Sequence, residues 1–154
     1  MTAETGILDS RPVEASELVW LETGMCLIGY FSSLGRHQLA EILPYMLLIR
    51  YAKGAEICAE GEPGDALYLV HDGEVVVTKM GWTEPVARLT NGDFFGEMAL
   101  LFGEPRSATV TAEQETEVFC LAAEDFQRVI QKSPDMVASL RKLAETRRLE
   151  LARS

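Results

Sequence analysis

Apolar positions along the chain change period twice, and the changes divide it into three parts. Between residues 12 and 49 they recur at helical spacing. Leu18, Leu21 and Met25 form one set, with Pro12 and Ser16 upstream as start signals, and residues 36–45 fit a second helix with Leu39, Ile42 and Leu43 on one face. Residues 29–35 read as the loop between them. From about Leu48 the period shortens. Residues 48–51, 56–59, 67–70, 75–79, 86–89, 108–112 and 117–121 are strand-like runs, separated by Lys53-Gly54, Gly61-Glu62-Pro63-Gly64, Asp72-Gly73, Gly81 and Asn91-Gly92. Asp72-Gly73, lying between two apolar runs, predicts a β-hairpin. After Ala122 helical spacing returns. Phe126, Val129 and Ile130 share a face, and Ser133-Pro134-Asp135 then opens a new helix, with Ser133 as N-cap and Pro134 at a position that tolerates proline. This last helix runs toward Ala152 with Met136, Leu140, Leu143 and Leu151 at three- and four-residue spacing.

Many short strands with regular turns, flanked by helices, predict a mainly β fold: an antiparallel, jelly-roll-like β-roll. No strand–helix–strand alternation is present, which excludes a doubly wound sheet. The expected layout is one domain over residues 1–154. N-terminal helices occupy 1–47, the roll 48–121, and two C-terminal helices, a hinge and a lid, 122–154. At 154 residues the chain can bury a core without disulfides or a structural metal.

Charge and cysteines narrow the function. With 24 acidic and 14 basic residues the net charge is −10, which opposes general nucleic-acid binding and docking on an acidic membrane. The basic residues gather in the last helix, at Arg141, Lys142, Arg147, Arg148 and Arg153. No apolar run approaches the ~20 residues of a membrane span, and the start of the chain lacks a basic-then-apolar leader, so cytoplasmic residence is the expectation. Cys26, Cys58 and Cys120 are widely spaced, and the expectation is three reduced, buried side chains. His37 and His71 fall on separate segments and read as surface residues. Neither a metal-ligand cluster nor a Ser-His-Asp grouping is suggested, so the reading is a protein with no enzymatic activity, no metal and no cofactor.

Residues 94–110, Phe-Phe-Gly-Glu-Met-Ala-Leu-Leu-Phe-Gly-Glu-Pro-Arg-Ser-Ala-Thr-Val, carry the candidate chemistry. Gly96 permits a tight turn, residues 97–101 can form one short helix, and Gly103 and Pro105 end it. Arg106 then returns to the same neighbourhood. Unpaired N–H groups at a helix start favour an anion, and a guanidinium adds two charge-assisted hydrogen bonds. Glu97 would repel a phosphate but would accept hydrogen bonds from a sugar hydroxyl, so the set describes a nucleotide with its ribose. The alternative is an ordinary amphipathic turn in which Arg106 pairs with Glu97 or Glu104.

This segment resembles the phosphate-binding cassette of cyclic nucleotide-binding domains, such as those of bacterial cyclic-nucleotide-gated potassium channels. Gly61-Glu-Pro-Gly-Asp-Ala-Leu-Tyr-Leu-Val70, Asp72-Gly73-Glu-Val75 and Tyr51-Ala-Lys-Gly54 are similar to that family's roll, and the likeness runs from about Ile28 to Leu151. The first 25 residues carry no family signature. The resemblance implies a ligand site made of Phe95, Gly96, Glu97, Met98, Ala99, Arg106, Ser107, Ala108 and Arg147. Backbone N–H groups around Gly96, Met98 and Ala99 would meet the cyclic phosphate, and Arg106 would clamp it. Glu97 would accept from the ribose 2′-hydroxyl, and Ser107 would sit near phosphate and base. Serine at that position points to cAMP, with cGMP as the alternative.

In the last helix Arg147 continues the Leu140, Leu143 and Leu151 stripe, so either its stem packs and its head reaches water or it closes over the base as a lid contact. Arg148, turned about 100° away, is expected to face solvent or the polar side. The implied protein is a sensor that binds cAMP and signals by moving its last helix to an effector outside this chain, such as a channel, transporter or kinase. The competing readings are the ligand domain of a catabolite-activator-type transcription regulator, for which a chain stopping at Ser154 leaves no room for a helix-turn-helix, and an interaction domain with an empty cassette.

Overall fold

The computed structural model describes residues 3–17, 19–20, 43–132 and 134–152. Nine strands, β1 (Ala3–Pro12), β2 (Leu47–Tyr51), β3 (Glu56–Cys58), β4 (Ala66–Asp72), β5 (Glu74–Thr78), β6 (Ala87–Thr90), β7 (Phe94–Phe95), β8 (Thr109–Ala112) and β9 (Thr116–Ala122), are described. A short helix, α1 (Glu97–Phe102), interrupts the strands, and two helices, α2 (Ala123–Lys132) and α3 (Pro134–Ala152), follow them. The strands form a five-stranded sheet ordered β1-β2-β9-β4-β7 and a four-stranded sheet ordered β3-β8-β5-β6. Paired strands run antiparallel throughout both. The expected antiparallel β-roll is therefore the observed fold.

The core lies between the sheets. Ile49, Tyr68, Val70 and Val118 of one face Cys58, Val75, Leu89, Val110 and Ala112 of the other. Alternation puts Leu67, Leu69, Phe119 and Leu121 on the opposite face of the five-stranded sheet, where they are also buried. Phe126 of α2 is fully buried and α2 packs on β4 and β9, so this second face is covered by helix. That double burial explains why residues 67–70 read as one continuous apolar run.

Three expectations change. First, Asp72-Gly73 does not make a hairpin. β4 and β5 lie in different sheets, and the two residues form the corner where the chain crosses between them. Gly73 has φ 138°, and a Cβ there would sit 2.4 Å from Thr116 Oγ1. The Gly73 N–H donates to Asn91 Oδ1 at 2.9 Å, and the Glu74 N–H to Thr116 Oγ1 at 3.3 Å, so side chains close the corner where ladder bonds would close a hairpin.

Second, residues 1–47 are not helices throughout, because Ala3–Pro12 is strand β1. It pairs with β2 from Ile7↔Tyr51 to Pro12↔Leu47, with a bulge between Ile7 and Asp9. Its described side chains are mostly exposed, so pairing to the β2 edge rather than an apolar face makes it a strand. Arg11 anchors it, donating to both carboxylate oxygens of Glu17 at 2.9 and 3.1 Å. Residues 15–17 and 19–20 are helical. The expected positions Leu18, Leu21, Met25, Leu39 and Ile42, with Cys26, His37 and Ser133, lie outside the described residues.

Third, His71 is half-buried rather than free at the surface. Its ring centroid lies 4.8 Å from that of Trp20 and 5.0 Å from that of Phe119, and Nδ1 is 3.1 Å from Glu117 Oε1. Cys58 and Cys120 are free thiols, and burial pushes them up to about 12 and about 11, so both stay protonated and unreactive.

Candidate functional site

The two-residue strand β7 sets the site. Phe95 pairs with Tyr68, and the two rings stack with centroids 4.9 Å apart, so the next residue, Gly96, is fixed against β4. Gly96 has φ 92° and caps α1. A Cβ there would lie 2.7 Å from Arg106 Nη1 and 2.9 Å from the Ala66 carbonyl, so the close approach requires glycine.

Arg106 is 7% exposed and reaches this corner from the loop before β8. Nη1 donates to the Gly96 carbonyl at 3.0 Å and Nη2 to the Ala66 carbonyl at 3.0 Å. Exposed Asp65 lies 3.5 Å from Nη2. The guanidinium thus pairs with neither Glu97 nor Glu104, and the alternative of a local Arg–Glu pair does not hold. Its backbone is tied as well: Arg106 N–H donates to the Glu62 carbonyl at 2.7 Å and Gly61 N–H to the Arg106 carbonyl at 2.8 Å. This ladder explains why the Gly61–Gly64 turn and the cassette belong together. A Cβ on Gly64 would lie 2.2 Å from that of Ala99.

Glu97 is 1% exposed, and its carboxylate Oε1 accepts from Arg147 Nη1 of α3 at 2.6 Å. Burial pushes the Glu97 carboxyl up, and the Arg147 guanidinium opposes that. Ser107 Oγ donates weakly to Met98 Sδ at 3.6 Å, and Lys79 Nζ donates to the Ser107 carbonyl at 3.2 Å.

These groups meet in one cleft of about 610 Å³, counting the part open to solvent. All nine residues singled out from the sequence line it: Phe95, Gly96, Glu97, Met98, Ala99, Arg106, Ser107, Ala108 and Arg147. Val77, Val86, Ala87 and Leu89 of the β5–β6 region give it an apolar wall, and Glu150 and Leu151 of α3 join Arg147 over it. The wall and Glu150 were missed. Glu150 is three residues from Arg147 on the same helix, a spacing that could have found it. Leu140 and Leu143 lie outside the described side chains.

Arg148 lies on the exposed, polar side of α3, as expected. Its side chain is half exposed, but it pairs with Glu104, and its guanidinium carbon lies 3.9 Å from the Phe102 ring centroid. Neighbouring arginines of α3 therefore hold both ends of α1. Among the described residues no group of His, Cys, Asp and Glu side chains could hold a metal ion, and no helix is long and apolar enough to cross a membrane.

Two antiparallel sheets around a core, with a glycine-capped helix, a buried arginine and a buried carboxylate in one cleft under a C-terminal helix, define a β-roll ligand-binding module. The sequence model of the cyclic nucleotide-binding domain matches residues 48–133, more than half of the chain, and the chain belongs to that family. It is 42% identical over 118 residues, 77% of its length, to a cyclic nucleotide-gated potassium channel of Rhizobium etli, covering 32% of that channel. Over 106 residues, 69% of its length, it is 39% identical to the cAMP-dependent protein kinase regulatory subunit of Aspergillus niger, covering 26% of it. The chain thus spans about a quarter to a third of the length of these curated relatives. Among solved structures it resembles cAMP-bound PfPKA-R with a TM-score of 0.74 and 30% identity, covering 85% of this chain and 46% of that one. It also resembles the catabolite activator protein of Thermus thermophilus, with a TM-score of 0.68 and 35% identity, covering 80% of this chain and 59% of that one. These relatives place the chain among regulatory cyclic nucleotide-binding domains.

Proposed function

We propose that this domain binds 3′,5′-cyclic AMP in the cleft and reports it by the position of α3, with no catalytic step and no cofactor. The observation that carries the reading is the convergence of Arg106, the Gly96 turn, Glu97 and Ser107 in one cleft beneath Arg147. Arg106 meets the single charge of a cyclic phosphodiester. The carbonyls of Gly96 and Ala66 fix its plane, so little ordering remains when the anion arrives. Backbone N–H groups around Gly96, Met98 and Ala99 meet the same phosphate, and buried Glu97 accepts the sugar 2′-hydroxyl. The purine lies along the apolar wall of Val77, Val86, Ala87 and Leu89, with Phe95 and Ala108 completing the contact.

Ser107 near the base favours adenine, and the cAMP-bound neighbour at 30% identity supports that choice. The output partner is an effector domain or protein, and the channel and kinase-subunit relatives indicate the kind. Displacement of a bound fluorescent cyclic nucleotide tests the base. Competition by cAMP at lower concentration than cGMP is expected, and the reverse order would assign guanine.

A further inference from the structure

Ser107 enters the cleft from the loop that carries Arg106, and its hydroxyl makes one weak contact, to Met98 Sδ at 3.6 Å. The direction of that hydroxyl is set by the backbone on either side. A peptide unit is planar, so holding its carbonyl holds the whole plane, and two held planes fix φ and ψ of the residue between them. The plane before Ser107 carries the Arg106 carbonyl, which accepts from the Gly61 N–H at 2.8 Å. The plane after it carries the Ser107 carbonyl, which accepts from Lys79 Nζ at 3.2 Å. The first holder is backbone. The second is a side chain just past the end of β5, and it does not itself line the cleft.

We propose that Lys79 is a positioning residue for Ser107: by holding the Ser107 carbonyl it aims the Ser107 hydroxyl into the cleft. In the proposed function, on which this rests, that hydroxyl meets the ligand near phosphate and base. Lys79 can act as a holder because it is itself held. Its Nζ lies 3.4 Å from Glu60 Oε2, and the two side chains are only 28% and 24% exposed. Glu60 Oε1 accepts from the Met80 N–H at 2.9 Å, next in the chain to Lys79. The Glu60 N–H donates to Thr109 Oγ1 at 3.0 Å, two residues past Ser107. Glu60 therefore ties the end of β5 to the start of β8, with the ammonium between them. An ammonium has three donors, so the bonds to Glu60 and Ser107 do not compete, and a charged donor makes the stronger bond to a carbonyl. Without that donor the second plane would be released. Arg106 would keep its own ties to Gly96, Ala66 and Glu62, so the anion clamp does not pass through Lys79.

Calorimetric titration with cAMP of the unaltered chain, S107A, K79M, K79M/S107A and K79R tests this, with thermal melting to confirm that each variant is folded. S107A should weaken cAMP roughly tenfold, the scale of one hydroxyl contact. K79M should weaken it about threefold or more. K79M/S107A should stay within about twofold of S107A alone, because no hydroxyl remains to be aimed. K79R keeps a charged donor at that carbonyl and should recover most of the loss. A double variant whose loss is the product of the two single losses would show that Lys79 acts as a charge at a distance or on the fold at large, and would overturn the inference alone. Binding by K79M as tight as by the unaltered chain would overturn it too, as would S107A with no loss, since there would be no contact to position. Failure of the unaltered chain to bind cAMP overturns the proposed function and this inference together. If K79M does not fold, K79Q takes its place in the same cycle.

Discussion

Arg106 is both a ligand group and a structural one. From the sequence Arg106 reads as the clamp on the anion or as a partner of Glu97 or Glu104. The structure shows two carbonyls, of half-buried Gly96 and buried Ala66, that accept from its guanidinium. Arg106→Ala should therefore cost about 2–5 kcal/mol of cyclic nucleotide binding. It should also cost about 1–3 kcal/mol of ligand-free stability for the carbonyls left unpaired, read by urea unfolding. Lost affinity with unchanged stability would show that water replaces the guanidinium at those carbonyls. Glu97 gives a second prediction at this scale. Its folded-state pKa lies above the ordinary value of 4.5 because it is buried, so its contribution is most favourable below that value and is lost as pH rises. The stability of Glu97→Gln relative to the unaltered chain should thus increase between pH 5 and pH 7.5. A flat difference would mean that Arg147 fully offsets the burial. The identities of these residues were legible because glycine, glutamate, arginine and serine stand in one ordered segment. Their partners were not, since Ala66 and Asp65 contribute from 40 and 41 residues away.

Among elements, those with strict alternation were legible. β5 and β8, with inner Val75, Val110 and Ala112, lie within a residue or so of the expected runs. Asp72-Gly73 misled because two-residue turn chemistry fits any place where the chain reverses tightly, and only pairing distinguishes a hairpin from a corner. β1 was illegible because Thr-Gly-Ile-Leu-Asp-Ser-Arg shows no apolar face, and its strand conformation comes from the neighbouring edge. Its anchor should be acid-sensitive. Glu17 is held down to about 2 by the hydrogen bond from Arg11, below its ordinary 4.5, so the pair's stabilisation is present above that value and is lost as pH falls toward 2. Amide exchange in residues 7–12 should quicken over that window in the unaltered chain but already be fast at neutral pH in Arg11→Ala. Equal exchange in both chains at pH 7 would remove the anchor's role. In α3, Ala144 is buried, most described side chains are exposed, and Arg147 and Arg148 tie the helix to the α1 segment. Amide exchange over residues 136–151 should slow on adding cAMP, more than in β5 and β6. Unchanged protection would count against a lid.

For the molecule as a whole, the two sheets provide a rigid frame and the ligand chemistry hangs on one edge of it. β7, α1 and the Arg106 loop are fixed to the roll by backbone pairing, whereas α3 reaches the same cleft through side chains. A net charge of −10 repels anions at a distance, so binding rests on the donors gathered at the cleft. That donor set fits one phosphate charge and one ribose hydroxyl, and this is the central claim. The direct test is calorimetric titration of the chain with cAMP, AMP and ATP side by side. The account predicts saturable one-to-one binding of cAMP, with AMP and ATP at least about tenfold weaker because their extra charge and open phosphates do not fit a site built around one arginine. Binding of ATP as tight as that of cAMP, or no binding of cAMP at all, would contradict it.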